Sequence, residues 1–516
     1  MSKDLELQIS TLRKSRWVNL SGLVDCATKR LSKPTCQSIQ LLGRGSYNTV
    51  YKLVFADDTE IAASVSAHDD EDFNPQAKMS EIATMQFVRA SGLYPGILVP
   101  QVHAWDITFS NPAGAPYVFM DVIHGRKLDS LTNDDNKLCG LDGMSDVQQL
   151  AVTKALAKLQ STLSVPVPFG TIGSITLNDE GGFIIGPLFT ITQNNLGGPY
   201  QSLTDLWKAR LEHEILHALR EWSRLETEQL SQSLSEPKCT PRKFSELFQL
   251  LSSLIPHFVP PSSYLPLVLY HPDLALRNIF FDPIDDTKIV GLIDWGGAQI
   301  LPLMLTAKFP DDLNSIGEDP CERPGIPDEG WNAVPHDWTS FGDTSKWPNV
   351  FRGPNDQVDL TIRASAMIKR YYLRQHFGVC FAQENHDRCG DNNLGRAMLF
   401  AHAPYYLKFH EIITGGWTSL VDHAEWIRET YWRLNAIKQD GRSAALIVGP
   451  NVYRSSMEKP VFDLNIFEEQ FSEDVQDGEQ EKDMNVDTFV ISRYCFTTLV
   501  LLNLAATFAM KLGYPT

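Results

Sequence analysis

Three polar residues that could carry out phosphoryl transfer lie in one short stretch, Leu269–Trp295. Asp273 comes two residues after His271, Asn278 follows five residues later, and Asp294 stands near the end of the stretch. One carboxylate can orient an attacking hydroxyl, while an amide and a second carboxylate are hard oxygen ligands that suit Mg²⁺. The spacing therefore predicts a site for phosphoryl transfer from a magnesium nucleotide. The alternative is an acidic surface turn, which has no need of this combination.

Two apolar runs predict the hairpin that would position these residues. The runs 278–282 and 288–294 flank the turn-rich sequence DPIDD, as two strands joined by a polar loop would. Asp273 precedes the first run and Asp294 ends the second. The hairpin should therefore bring both aspartates and Asn278 to one mouth.

The stretch resembles the catalytic segment of the aminoglycoside phosphotransferase and choline kinase-like enzyme family. That family has the pattern H-x-D-x-x-x-x-N followed by I-D-W or I-D-F, matched here at His271, Asp273, Asn278 and Asp294. The resemblance implies a two-lobed, protein-kinase-like α+β fold, with a small antiparallel-sheet lobe and a larger, mainly helical lobe. It implies that Asp273 is the catalytic base and that His271 braces its loop. Asn278 and Asp294 would hold Mg²⁺ against ATP.

A glycine-containing turn lies upstream, between strands predicted at 37–42 and 49–55. Backbone N–H groups in such a turn can close over phosphates, although a plain hairpin turn would use the same glycines. Asn48 stands where protein kinases have a third glycine. The residues that the resemblance places at the phosphates are Gly43, Gly45, Ser46 and Asn48.

The third predicted strand, 60–66, departs from the family pattern. The position that holds a phosphate-contacting Lys or Arg falls at or next to Ser64, and no Lys or Arg lies between Asp57 and Phe73. This departure favours the competing hypothesis of a pseudokinase or nucleotide-binding regulatory module. The intact catalytic pattern favours an active enzyme instead.

A substitute for the missing cation is predicted on the second strand. Glu81, on a helix predicted over 75–91, matches the glutamate that normally pairs with that cation, although it could equally be a solvated helix residue. Lys52 shares strand parity with Val50, so both should face the nucleotide. We predict that Lys52 replaces the cation and approaches Glu81. An exposed strand lysine is the alternative.

A strand predicted over 116–122 would lead into the hinge between the lobes. In the family the backbone of this hinge binds adenine, and Met120 to Val122 would do so here. A buried strand that ends in a glycine turn is the alternative. Apolar residues at helical spacing then predict the helices of the large lobe, at 145–163, 203–225, 244–254, 356–377, 394–413 and 420–434.

The helix predicted at 203–225 contains His213, Glu214 and His217 in an H-E-x-x-H pattern. On a helix this spacing puts both histidines on one face, as zinc proteases require. No third ligand follows on a legible pattern, and the pattern arises by chance on charged helices. A solvated helix face is therefore the preferred interpretation.

Composition restricts the partners and the compartment. The formal net charge of −18 disfavours binding to nucleic acid and anionic lipid and favours cationic or neutral partners, unless the acidity serves solubility alone. The family resemblance implies that the partner is a small-molecule hydroxyl acceptor. A protein acceptor is the alternative. The eight cysteines are scattered without a C-x-x-C pair, which indicates reduced thiols in a cytoplasmic protein. The N-terminus lacks the apolar core of a signal peptide.

The predicted organisation ends in two segments of contrasting composition. Tyr494–Met510 is free of charge but only just long enough to span a bilayer, so a docked terminal helix is preferred over a membrane anchor. The predicted segments are a leader 1–36, an N-lobe 37–125, a C-lobe 126–465 with a loop-rich insertion 302–354, an acidic linker 466–488 and an apolar segment 489–516.

Overall fold

The computed structural model describes the greater part of the two predicted lobes. The described residues are 3–12, 18–68, 71–128, 140–229, 241–285, 287–314, 360–389 and 399–439. The predicted acidic linker, the apolar segment with Tyr494–Met510 and most of the predicted insertion lie outside these residues.

A five-stranded antiparallel sheet forms the small lobe, in the order β1-β2-β3-β5-β4. Alternate residues of the second strand are buried, so that Tyr51, Leu53 and Phe55 form one face while Val50 and Lys52 lie on the other. The strands are β1 (Cys36–Arg44), β2 (Asn48–Phe55), β3 (Glu60–Ser66), β4 (Val102–Asp106) and β5 (Tyr117–Asp121).

Two N-terminal helices, α1 (Lys3–Leu12) and α2 (Leu20–Arg30), cover the face of the sheet that carries Tyr51. Leu5 and Leu23 are buried there among the strand side chains. Apolar burial of this kind holds a short helix that would be marginal alone.

Helix α3 (Pro75–Ala90) lies between the sheet and the large lobe. The Asn74 side chain caps it by accepting from the backbone N–H groups of the first turn at 3.0 and 3.2 Å. The Asn74 amide also donates to the Gln193 carbonyl at 2.9 Å, which ties the start of the helix to the large lobe. The predicted helix is confirmed.

The large lobe is mainly helical and contains one extensive apolar core. Ser145 and Gln148 form a reciprocal capping box at the start of its first helix. The helices are α4 (Asp146–Leu163), α5 (Leu203–Gln229), α6 (Pro241–Leu254), α7 (Leu303–Thr306), α8 (Leu360–Cys389), α9 (Leu399–Thr414), α10 (Gly416–Asp422) and α11 (Ala424–Gln439).

Three two-stranded ribbons accompany these helices. The linker from the small lobe runs along one of them, because Arg126 exchanges backbone hydrogen bonds with Phe281 at 2.8 and 2.9 Å. The ribbons pair β6 (Ser174–Leu177) with β7 (Phe183–Gly186), β8 (Leu267–Tyr270) with β11 (Gln299–Pro302), and β9 (Ile279–Phe281) with β10 (Ile289–Leu292).

The predicted two-lobed α+β fold is confirmed, with two local differences. The single helix predicted over 420–434 is wrong, because the chain breaks at His423 between α10 and α11. The loop-rich insertion was predicted to start at Pro302, but Leu303 and Leu313 are buried in the core. The apolar run at the start of that segment therefore belongs to the large lobe.

Candidate active site

The β9–β10 hairpin brings the predicted catalytic and metal-binding residues together. The loop from β8 carries His271 and Asp273 and ends in a 3-10 turn at Asn278, directly before β9. The Ile293 N–H donates to the Asn278 carbonyl at 3.0 Å. This bond sets the start of the first strand beside the end of the second, where Asp294 follows.

A buried histidine joins the two halves of the site. The Nε2 of His271 lies 3.0 Å from the Ile293 carbonyl, and its Nδ1 lies 3.3 Å from the backbone N–H of Asp273. These partners require a neutral ring with the proton on Nε2. Burial is the main reason that the pKa of His271 is lowered to about 4. The Trp295 ring packs edge-on against the imidazole, at 4.9 Å between centroids.

The Asp273 carboxylate is held by two side chains of its own loop. The Asn278 amide donates to it at 2.7 Å and to the Asp273 backbone carbonyl at 2.9 Å. The guanidinium of Arg277 also binds both carboxylate oxygens, and it reaches Asp311 at 2.9 Å. Sequence reasoning missed Arg277, because the i,i+4 spacing from Asp273 indicates a contact only on a helix, and this segment is a loop.

Asp294 adopts a left-handed backbone conformation, with φ of +64°. A non-glycine residue in this region is uncommon and is found more often at functional sites. Asp294 is exposed at the mouth of the hairpin, but the protein around its carboxylate reduces the hydration of that group. Desolvation is the largest cause that raises the pKa of Asp294 to about 6, and the negative charges of Glu81 and Asp273 add to it.

The donor set fits a magnesium ion. The Asn278 nitrogen donates twice to Asp273, which leaves the amide oxygen for a metal. Among the described residues no hydrogen-bond donor contacts the Asp294 carboxylate. No group of three or more His, Cys, Asp or Glu in the described parts could hold a metal. An amide and a carboxylate still suit Mg²⁺, which takes its remaining ligands from phosphates and water.

The glycine-containing turn has the predicted strand–turn–strand form. Its N–H at Gly45 donates to the Asn48 carbonyl at 2.8 Å and closes the turn between β1 and β2. Gly43 and Ser46 are exposed, and a Cβ added at Gly43 would meet no atom within 4 Å. The turn is thus open on the outside, and its contact with phosphates stays a prediction.

The predicted approach of Lys52 to Glu81 is wrong. The Lys52 ammonium binds Glu60 at 2.7 Å. Strand parity did place Lys52 on the same face as Val50, but Glu60 lies on the neighbouring strand within reach of the ammonium. Attraction to that nearby carboxylate holds the Lys52 ammonium beside Glu60, at the start of β3.

The partner of Glu81 is a lysine that sequence reasoning missed. Lys78 stands three residues before Glu81 on α3, and its Nζ lies 2.7 Å from the Glu81 carboxylate. The same ammonium lies 3.1 Å from the Asn48 side-chain oxygen, in the glycine-containing turn. The Lys78 side chain is only 4% exposed. The usable signal was the i,i+3 spacing on the predicted helix.

Ser64 and the predicted hinge lie on neighbouring strands of the sheet. Ser64 is buried and pairs with Val118 on β5, while Met120 pairs with Ala62 on β3. Val122 follows the end of β5. The binding of adenine by Met120 and Val122 stays a prediction.

The H-E-x-x-H helix has a structural arrangement of its own. Glu214 is buried and accepts from Arg210 at 2.5 Å, while the His213 side chain is 62% exposed. The rings of His213 and His217 stack with centroids 6.3 Å apart.

Of the helices that the structure describes, none combines the length and the apolar character needed to cross a bilayer.

Comparison with known proteins identifies related sequences. A model of the phosphotransferase enzyme family matches residues 38–304, just over half of the 516 residues. A subtelomeric hrmA-associated cluster protein of Aspergillus fumigatus is 27% identical over 347 residues, which is 57% of this chain and 64% of that protein. The match therefore spans less than two thirds of that relative's length.

Solved structures with a similar fold are distant. Wild-type aminoglycoside 2'-phosphotransferase IIIa, solved with GDP, is 13% identical with a TM-score of 0.36 and covers 83% of this chain and 97% of its own. A macrolide 2'-phosphotransferase of Brachybacterium faecium is 12% identical with a TM-score of 0.33, covering 78% and 95%. At these TM-scores the likeness carries no weight beside the family match.

Proposed function

Because the chain belongs to the phosphotransferase enzyme family, we propose that it transfers the γ-phosphoryl group of ATP to a hydroxyl of a small molecule, with Mg²⁺ as the metal. The observation that carries this proposal is the convergence of Asp273, Asn278 and Asp294 at one mouth. Asn278 binds the Asp273 carboxylate at 2.7 Å. Its carbonyl also accepts from the residue before Asp294 at 3.0 Å.

Asp273 acts on the acceptor. Its carboxylate accepts a hydrogen bond from the acceptor hydroxyl and takes the proton as the bond from that oxygen to the γ-phosphorus forms. The bond from the γ-phosphorus to the bridging oxygen breaks, and ADP leaves. Arg277 and Asn278 fix the orientation of the carboxylate. Positioning of this kind is the main contribution a protein makes to phosphoryl transfer.

Asn278 and Asp294 would hold the metal, through the amide oxygen and the carboxylate. When bound, Mg²⁺ supplies positive charge that neutralises the phosphate oxygens. His271 keeps these ligands in register with Asp273, because it bonds the backbone on both sides of the site. Its low pKa keeps the ring neutral at physiological pH, so the two hydrogen bonds persist there.

The small lobe binds the nucleotide in this proposal. The turn that contains Gly43, Gly45 and Ser46 covers the phosphates, while the Gly45 N–H closes that turn on the Asn48 carbonyl at 2.8 Å. The backbone from Met120 to Val122 binds adenine. The acceptor occupies the large lobe, where helices pack beside the catalytic loop. A cytoplasmic location, predicted from the scattered cysteines, is part of the same proposal.

A screen of hydroxyl-bearing metabolites tests this function. The full-length chain is incubated with Mg²⁺, ATP and pools of candidate acceptors, and ADP formation is followed beside the Asp273→Ala variant. The expected result is acceptor-dependent ADP formation by the wild type alone. Tight binding of Mg²⁺-ATP without transfer to any metabolite or protein pool would instead support a nucleotide-binding regulatory module.

A further inference from the structure

The nucleotide phosphates need a positive charge that β3 does not provide. Kinase-like sites neutralise phosphates with a metal and a basic side chain. Ser64 stands at or next to the position where the family has that side chain, and Lys52 is engaged by Glu60 at 2.7 Å. A cation must therefore come from another element if the site is to bind ATP well.

We propose that Lys78, on helix α3, binds the nucleotide phosphates in place of the basic residue missing from β3. This inference rests on the proposed function and names a binding residue for it. The family pattern puts the cation on the strand and the glutamate on the helix. Here both members of the ion pair come from the helix, as Lys78 and Glu81.

The first support is the position of the ammonium. It lies 3.1 Å from the Asn48 side-chain oxygen, which belongs to the turn proposed to cover the phosphates. It lies 2.7 Å from Glu81. A methyl group on Gly296 would be 3.7 Å from both the Glu81 Oε2 and the Asp294 Oδ1. Lys78 thus contacts the phosphate turn through Asn48, and its partner Glu81 lies near the proposed metal ligand Asp294.

The second support is the energetic cost of this lysine. Taking an ammonium out of water has a desolvation cost that attraction to a paired carboxylate often does not repay, and Lys78 is only 4% exposed beside Glu81. It also stands in the first turn of α3, where the helix dipole disfavours positive charge. A methionine of similar length would fill the position without either cost. A buried positive charge at the start of a helix is unfavourable for stability, and residues kept at such a cost are typical of functional sites.

The third support is an unused donor. A lysine ammonium has three N–H donors. Those of Lys78 meet two acceptors among the described residues, Glu81 and Asn48. One donor therefore remains for a phosphate oxygen. Glu81 fixes the ammonium in place, as the helix glutamate of the family does for the strand cation.

Calorimetric titration of the full-length chain with Mg²⁺-ATP and with adenosine tests the proposal. Adenosine has the base but no phosphates, so it separates phosphate binding from general damage to the site. Lys78→Met should weaken Mg²⁺-ATP binding by about tenfold or more, with adenosine affinity within about twofold of wild type. A merely structural lysine would weaken both ligands alike. Lys52→Met should bind both ligands like the wild type.

A second variant guards against misfolding. Lys78→Met leaves Glu81 without its partner, so Lys78→Met with Glu81→Gln removes both charges together and should show the same selective loss. Wild-type affinity for Mg²⁺-ATP in both variants, or a loss in Lys52→Met instead, would overturn the role of Lys78. A wild type that binds no Mg²⁺-ATP at all would overturn the proposed function itself, which is a different result.

Discussion

The Nε2 of His271 lies 3.0 Å from the carbonyl oxygen of Ile293, and this bond joins the loop of Asp273 to the strand that leads to Asp294. The other ring nitrogen accepts from the Asp273 backbone. One neutral imidazole therefore sets the distance between the proposed base and the proposed metal ligand. A second proton on the ring would replace the acceptor at Nδ1 with a donor facing an N–H group.

Protonation of His271 should make the fold sensitive to acid. Its folded pKa of about 4 is below the ordinary value of 6.5, so its contribution to stability is complete above pH 6.5 and is lost as the pH falls toward 4. Each such proton changes the free energy of unfolding by up to about 1.4 kcal/mol per pH unit. Asp294 opposes this change below its pKa of about 6, because its raised pKa favours proton uptake in the folded state.

Replacing His271 and, separately, a second buried histidine measures how much each contributes to the pH dependence of stability. His410 is a matched case outside the site, since its pKa is also lowered to about 4 by burial and its Nδ1 lies 3.1 Å from the Trp207 indole nitrogen. In each of the variants His271→Gln and His410→Gln, unfolding should take up about one proton fewer than in the wild type between pH 4 and 7. The slope of the unfolding free energy against pH, obtained from denaturant unfolding, measures this number. Wild-type pH dependence in the His271 variant would contradict the assignment.

Asp273 and Asp294 should fail in different ways when replaced. Asp273→Ala should abolish phosphoryl transfer while nucleotide binding persists, because this residue faces the acceptor in the proposed mechanism. Activity within about tenfold of wild type, roughly 1.4 kcal/mol of barrier, would reject its role as base. Asp311→Ala is a suitable control, because Asp311 also binds Arg277 but lies outside the catalytic pattern.

Asp294→Ala should remove the magnesium-dependent part of nucleotide binding. Its carboxylate is the charged member of the proposed metal pair, and the amide of Asn278 alone is a weak ligand. Titration with ATP in the presence and absence of Mg²⁺ measures the effect. An unchanged affinity for Mg²⁺-ATP would show that another residue holds the metal.

Arg277 should act as a positioning residue for the base. It is half exposed, but its guanidinium binds both oxygens of the Asp273 carboxylate. Arg277→Ala leaves that carboxylate to Asn278 alone, so we expect kcat to fall about tenfold with Mg²⁺-ATP affinity nearly unchanged. Lys308→Ala is the control, since Lys308 contacts Asp311 at 3.6 Å. An equal fall in the control would assign the effect to the wider charge network.

Residue spacing along the chain is sufficient to predict much of this site. Asp273, Asn278 and Asp294 are linked by a short loop and one hairpin, so local pattern determines their meeting. The ion pairs of the lysines are harder to predict, because the partner of a lysine depends on which carboxylate lies nearest in three dimensions. Strand parity correctly placed Lys52 on the same face as Val50, but its ammonium pairs with Glu60 on the neighbouring strand.

The family pattern also does not predict the partner of Glu81. It puts that cation on the third strand, whereas the lysine that pairs with Glu81 here is Lys78, one helical turn before it. The break at His423 between α10 and α11 was similarly missed, because apolar periodicity continues across it. Tertiary packing decides such breaks, and periodicity alone does not predict them.

The linker between the lobes makes a close approach that only glycine permits. A Cβ on Gly125 would lie 2.9 Å from the Phe281 carbonyl oxygen, 2.9 Å from the Phe280 Cβ and 3.0 Å from a Val290 methyl group. These atoms belong to the β9–β10 hairpin, and two backbone hydrogen bonds hold the linker there. The linker or the hairpin would have to move to admit a side chain.

Gly125→Ala should therefore destabilise the protein by about 1–3 kcal/mol, the usual cost of overpacking. It should also weaken nucleotide binding, because Asn278 and Asp294 lie together at the open end of the displaced hairpin. Gly378→Ala is the matched control: it lies inside α8 with no atom within 4 Å of the new Cβ, and should stabilise by up to about 1 kcal/mol. Denaturant unfolding measures both changes. If Gly125→Ala unfolds like the wild type, the linker has room to move, and its contact with the hairpin does not fix the site.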